Sequence, residues 1–268
     1  MRGRFIKMHG LGNDFVVIDG RDGAPSITPA LARAIADRRR GIGCDQLILI
    51  EPAVDADIAM RIFNADGSES GACGNATRCV AALAGRALRI ATAGGLLYAE
   101  PAGDAVRVDM GAPRFDWQEV PLAYALDTAT LPVAWDMLSG PTALNVGNPH
   151  LVFFVDDAAA VPLDRLGPEI ERDPLFPERI NVNVASRRAD GGIDLRVWER
   201  GAGLTEACGT GACATAVSAI RRGLATSPVT VHLPGGALTI GWSPGGSIEM
   251  TGPATRVFEG EADWSRFA

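Results

Sequence analysis

The chain has a single lysine, Lys7, in 268 residues. Pyridoxal phosphate enzymes hold their cofactor on a lysine as a Schiff base. Lys7 sits beside Met8-His9 in an N-terminal apolar stretch, a poor place for that task, so no such cofactor is expected. No apolar run approaches the roughly 20 residues that cross a bilayer. The opening MRGRFIKMHG lacks the apolar core of a signal peptide. Basic charge is also short. Lys and Arg total 25 against 32 Asp and Glu, a net charge of −7, which leaves no basic surface for a phosphate backbone. The expectation is a cytoplasmic protein with neither nucleic acid nor membrane as partner. The five cysteines (Cys44, Cys73, Cys79, Cys208, Cys213) are an odd set and do not form a disulfide framework in a reducing compartment. Cys73 and Cys79 have five residues between them, and Cys208 and Cys213 have four. Neither is the spacing of a paired zinc knuckle, so no metal is expected.

What the chain does have is a repeat. Ala72-Cys73-Gly74-Asn75 and Ala207-Cys208-Gly209-Thr210 stand 135 residues apart (208 − 73). The same offset carries Gly12-Asn13 onto Gly147-Asn148, Gln46 onto Asn181 and Asn64 onto Glu199. It also carries Ile58–Phe63 onto Ile193–Trp198. The length suits two domains, and a hydrophobic content of 47% is enough for each to hold a core. Two pseudo-symmetric halves are therefore expected: 1–118, which the C-terminal strand 255–268 can join, and 119–254. Phe115–Pro141 reads as the crossover.

Each half reads as short strands with two helices. In the first, Phe5–Met8, Phe15–Ile18, Gln46–Ile50 and Ile58–Phe63 have strand composition. Thr28-Pro29 opens a helix as N-cap and first helical residue. A second helix spans about Asn75–Ala87, and strands with Gly turns fill Arg89–Met110. The second half repeats the order with strands at Leu144–Val146, Leu151–Val155, Asn181–Val184 and Ile193–Trp198. Its helices are Pro162–Glu171 and about Gly211–Arg222, and strands follow over Thr230–Met250. This pattern predicts an α+β fold. Each half is a mostly antiparallel sheet curled around the helix that starts at its cysteine. Val80, Ala81, Leu83, Ala84, Leu88, Val217 and Ile220 are the expected core positions.

A cysteine at a helix start has its thiolate stabilised by the helix dipole and by bare backbone N–H groups. The Gly after it lets a carboxylate approach those groups. Two such ends facing one cleft would set the carbon next to that carboxylate between two sulfurs. That arrangement suits removal of a proton from one face and its return on the other. Cys44, Cys79 and Cys213 read as structural.

The longer motifs are specific. His9-Gly-Leu-Gly-Asn-Asp-Phe15, Gly43-Cys-Asp-Gln46, Phe63-Asn-Ala-Asp-Gly-Ser-Glu69, Ala72–Cys79, Gly147-Asn-Pro-His150, Glu178-Arg-Ile-Asn181, Glu199-Arg-Gly-Ala-Gly203 and Ala207–Cys213 together resemble the diaminopimelate epimerase family. The resemblance runs nearly end to end. It implies interconversion of LL- and meso-2,6-diaminopimelate in lysine and peptidoglycan biosynthesis, without cofactor or metal, with a homodimer expected from the family alone. It also implies that Cys73 and Cys208 alternate as thiolate base and thiol acid. Gly74-Asn75 and Gly209-Thr210 would cradle the reacting carboxylate. Asn13, Gln46, Asn64, Asn148 and Asn181 would supply amide contacts, and Arg200 would take the distal carboxylate. Glu199 would bind an ammonium and, with His150, help hold the thiols in mixed protonation states. Two alternatives stay open. One is a proline or hydroxyproline racemase, or a phenazine-pathway type isomerase, of the same fold. The other is a non-catalytic ligand-binding or redox-switch protein.

Overall fold

Alternating apolar residues build a mixed sheet in each half of the computed structural model, which describes residues 2–23 and 25–267. The chain divides into two compact units, Met1–Val108 with Gly252–Ala268, and Asp109–Thr251. The elements in order are β1 (Arg2–Gly10), β2 (Asn13–Asp19), α1 (Pro29–Ala36), β3 (Gln46–Glu51), β4 (Ile58–Asn64), β5 (Glu69–Ser70), α2 (Gly74–Ala84), β6 (Leu88–Thr92), β7 (Gly95–Ala102) and β8 (Ala105–Asp109). There follow β9 (Ala134–Trp135), β10 (Leu138–Ser139), β11 (Thr142–Asn145), β12 (Pro149–Phe154), α3 (Leu163–Glu171), β13 (Asn181–Arg187), β14 (Ile193–Glu199), β15 (Gly203–Thr205) and α4 (Gly209–Arg221). The chain ends with β16 (Val229–Leu233), β17 (Gly236–Gly241), β18 (Glu249–Gly252), β19 (Thr255–Asp263) and a 3₁₀ turn at Trp264–Phe267. No helix is long and apolar enough to cross a membrane among the described residues.

The two units repeat one topology. In the first, β1 pairs antiparallel with β19 and β2, β2 runs parallel to β3, β3 antiparallel to β4, and β4 parallel to β6. In the second, β11–β12 is antiparallel, β12–β13 parallel, β13–β14 antiparallel and β14–β16 parallel. Register repeats as well. Phe15 faces Gln46 as His150 faces Asn181, and Leu47 faces Phe63 as Val182 faces Trp198. Past the helix the offset grows to 141 (231 − 90), since Ile58 faces Ile90 while Ile193 faces Val231. Two of the extra residues lie in the helix, 13 residues in α4 against 11 in α2.

The central strands of each sheet, β2–β3 and β12–β13, are buried on both faces, and period-2 alternation divides their side chains between them. In the first unit Val16, Ile18, Leu47 and Leu49 pack with Ala32 and Ile35 of α1. On the other face α2 packs against β1, β2, β6 and β7. In the second unit Leu151, Phe153, Val182 and Val184 pack with Leu163, Leu166 and Ile170 of α3. Each such buried aliphatic or aromatic side chain contributes about 1.5–3 kcal/mol. Phe115–Pro141 does more than connect. It supplies Val120, Leu122, Leu131, Trp135 and Leu138 to this core.

Local chemistry sets the helix ends. Thr28 caps α1 by accepting from the Leu31 N–H at 3.2 Å. Helix α2 stops at Ala84 rather than Ala87, because Gly85 takes the left-handed conformation that ends a helix, with φ of 63°. Ala84 is accordingly exposed, and Leu83 and Ile220 are only half-buried, whereas Val80, Ala81, Leu88 and Val217 are in the core. Helix α4 begins two residues before the expected start, because Cys208 itself is the N-cap.

Gly167 lets α3 lie flat on Trp198 of β14, where an added Cβ would stand 2.5 Å from the indole ring. Gly167→Ala should therefore lose about 1–3 kcal/mol through overpacking, read as a lower urea midpoint at unchanged slope. An unchanged midpoint would mean that α3 does not pack on Trp198 this tightly.

Candidate functional site

Both cysteines of the repeat occupy the same local position. Cys73 and Cys208 are the N-caps of α2 and α4, in extended conformation, so Gly74-Asn75 and Gly209-Thr210 form the first turns. The first amides of a helix lack intrahelical partners, and the dipole makes that end electropositive. Cys73 is half-buried and Cys208 is 3% exposed.

In the first unit the residues near Cys73 form a directed chain. Arg78 is fully buried and can only donate. Its guanidinium donates to Asn75 Oδ1 at 2.8 Å, and Asn75 Nδ2 donates to Asn13 Oδ1 at 3.1 Å. Asn13 Nδ2 then donates to Asp45 Oδ2 at 3.1 Å. A donor-only group at one end and a carboxylate at the other fix the orientation of both amides. Asn13 thus turns its oxygen to Cys73, whose sulfur donates to it at 3.9 Å. Asp45 is anchored in turn by Arg38, which also binds Asp14 beside Lys7. Burial opposes ionisation of Asp14, but hydrogen bonds from Arg38 and Lys7 overcome it and hold its carboxyl well below the usual range. The lone lysine is therefore part of an ion-pair cluster. Across the β3–β4 ladder Gln46 Nε2 donates to Asn64 Oδ1 at 2.9 Å, and Asn64 Nδ2 donates to Ser68 Oγ. Gln46 Oε1 is buried with no hydrogen-bond partner among the described residues.

The second unit keeps the backbone plan and changes the side chains. Cys208 Sγ accepts from the Gly211 N–H at 3.4 Å and lies 3.6 Å from Thr210 Oγ1. Burial and the charge of Glu199 push the Cys208 thiol well above its ordinary value, against those two hydrogen bonds. Glu199 accepts from Thr205 Oγ1. Asn181 Nδ2 donates to Pro149 O at 2.7 Å, and its Oδ1 accepts from the Arg200 N–H at 2.9 Å. The exposed Arg200 guanidinium donates to Glu178 O. His150 Nε2 lies 2.9 Å from Asn148 Oδ1, and His150 Nδ1 lies 3.1 Å from Asn183 Nδ2.

Burial raises Cys44 to about 11 and Cys79 to about 12, so both stay protonated near neutral pH. Cys213 is fully buried. The sequence reading named neither Asp45 and Arg78 nor Asn183. Asp45 and Arg78 lie inside quoted motifs, and Asn183 shows as the second Asn of a period-2 alternation, Asn181-Val-Asn183-Val.

His150, expected to help hold the thiols in mixed protonation states, is fully buried. Burial, with the nearby Arg200 charge, takes it from 6.5 down to about 3, so it is neutral near pH 7. The unfolded chain then binds a proton that the folded chain excludes. This group's stabilisation is complete above about pH 6.5 and is lost as pH falls towards 3. The slope is about 1.4 kcal/mol per pH unit for a single proton. Urea midpoints should fall between pH 7 and pH 5, and the fall should shrink in His150→Phe, which copies Phe15 of the first half. An equal fall in both proteins would mean that His150 titrates normally.

The sequence matches the family profile described as diaminopimelate epimerase over residues 5–115 and 142–257. It is 64% identical to a diaminopimelate epimerase of Sphingopyxis alaskensis over 267 residues, all of both chains. It is 66% identical to that of Rhizorhabdus wittichii, covering all of this chain and 98% of the relative. Among solved structures, a Bacillus anthracis phenazine biosynthesis protein aligns with a TM-score of 0.71 at 15% identity, over 98% of this chain and 99% of that one. A hydroxyproline epimerase of Agrobacterium vitis aligns with a TM-score of 0.69 at 20% identity, over 97% and 91%. These two structures show the shared fold alone. Repeat, topology, N-capping cysteines and relatives agree: the chain belongs to the diaminopimelate epimerase family.

Proposed function

We propose that the protein epimerises LL-2,6-diaminopimelate to the meso form by a two-base reaction without cofactor. The observation that carries this reading is the matched placement of Cys73 and Cys208 as N-caps of α2 and α4. A thiolate at one cysteine removes the α-proton. The electron pair left on carbon delocalises into the adjacent carboxylate, which the N–H groups of Gly74-Asn75 and Gly209-Thr210 hold. The thiol of the other cysteine protonates the opposite face. The two sulfurs have then exchanged protonation states, and the reverse reaction uses them in the opposite roles. Because their titrations are coupled, the pair has macroscopic rather than individual pKa values.

The unmatched neighbours support a substrate with a second amino-acid head. Arg200 with Asn64, Asn148 and Asn181 suits a distal carboxylate, and Glu199 suits an ammonium. Helix-start cysteines that remove a proton need help, since burial and Glu199 favour the neutral Cys208 thiol. A bound ammonium beside Glu199 would offset its charge and lower that barrier. The same reading places the enzyme in the cytoplasm as a homodimer acting on a free small molecule, in lysine and peptidoglycan-precursor synthesis.

In deuterated water the protein should exchange the α-proton of LL-diaminopimelate and leave L-proline untouched. Cys73→Ala and Cys208→Ala should each abolish epimerisation. Deuterium entering proline but not diaminopimelate, or normal turnover in either variant, would overturn the reading.

A further inference from the structure

Asn183 lies on β13 in the core of the second unit and is fully buried. Its first-half mate, under the offset of 135 residues (208 − 73), is Ile48, as that of His150 is Phe15. Two apolar positions have thus become polar in the half that holds Cys208. Asn183 Nδ2 donates to Leu151 O at 2.9 Å. A carbonyl only accepts, so this bond fixes which end of the amide is NH₂. The same NH₂ faces His150 Nδ1 at 3.1 Å, so Nδ1 must be the lone-pair nitrogen. The proton of the neutral ring is then on Nε2, which lies 2.9 Å from Asn148 Oδ1. Asn148 therefore has its oxygen occupied and presents its NH₂ group. Its mate Asn13 is oriented the other way, with its NH₂ given to Asp45.

Asn183 is not there for stability alone. Its Oδ1 is buried without a hydrogen-bond partner among the described residues and stands 2.7 Å from where a Cβ on Gly211 would be. An unsatisfied buried acceptor costs about 1–3 kcal/mol, which the Ile of the first half avoids.

We propose that Asn183 is a positioning residue: it sets the tautomer of His150, and His150 thereby holds Asn148 with its amide NH₂ towards an anionic group of the substrate. The role of Asn148 rests on the function proposed above; the tautomer does not. Its test is nitrogen-15 NMR at neutral pH on enzyme labelled at its histidine rings, of which there are only three. His150, assigned by its loss in His150→Phe, should show the neutral Nε2–H form. In Asn183→Ile that preference should weaken. The KM for diaminopimelate should rise about tenfold, as for loss of one hydrogen bond to a charged group, while kcat changes little. A merely structural asparagine would not give this split, since partial loss of the fold lowers the active fraction, and with it kcat, at unchanged KM. Should Asn183→Ile fail to fold, Asn183→Ala gives the same NMR and KM readouts.

An Nδ1–H ring or an imidazolium in the parent enzyme overturns the proposal. So does a variant in which the tautomer and KM do not change together, or in which kcat falls while KM holds. Enzyme that shows the Nε2–H ring but no epimerase activity would refute the proposed reaction and leave the Asn183–His150 link standing.

Discussion

The start of a helix sets a side chain among backbone amides that lack intrahelical partners, and both halves of this chain put a cysteine there. The preceding loop delivers Cys73 or Cys208 in extended conformation, the next residue is Gly, and the helix then runs back across the sheet. Everything else in each unit serves to hold that junction. The parallel pairs β2–β3 and β12–β13 set the sheet, and β4 and β14 lead through Gly-rich loops to the cysteines.

The backbone repeats and the side chains do not. Phe15 is answered by His150, Ile48 by Asn183 and Asn64 by Glu199. In the first unit the polar chain from Arg78 to Asp45 ends in fixed charges and turns an amide oxygen to Cys73. In the second, neutral groups orient Asn148, and the charge of Glu199 joins burial in raising the Cys208 thiol. The two thiols therefore sit in unlike electrostatic surroundings. The polar cluster of the second unit lies in the core, where an unsatisfied group weakens the fold.

Much of this was legible in the sequence because backbone symmetry leaves a constant offset, and the offset gathered the polar residues with the cysteines. Strand positions followed from alternation and helix starts from caps. The stop at Ala84 was missed although Gly85 signals it, because the Ala-rich pattern continues past it. Phe115–Pro141 has no period, so its contribution to the core was invisible. The senses of the amide chains were hidden for another reason: an asparagine's orientation is decided by whichever neighbour can only donate or only accept. Arg78, Asp45 and the Leu151 carbonyl are those neighbours. The neutrality of His150 was hidden because composition says nothing of burial.

The proposed reaction uses two different sulfurs on opposite faces of one carbon. The most direct measurement is the isotope content of substrate and product during the first turnovers in deuterated water. Two bases predict meso-diaminopimelate that carries solvent deuterium at the inverted carbon, while unreacted LL substrate remains protonated there. Deuterium entering recovered substrate as fast as product, or protium carried intact into the product, would show a single base and contradict the account.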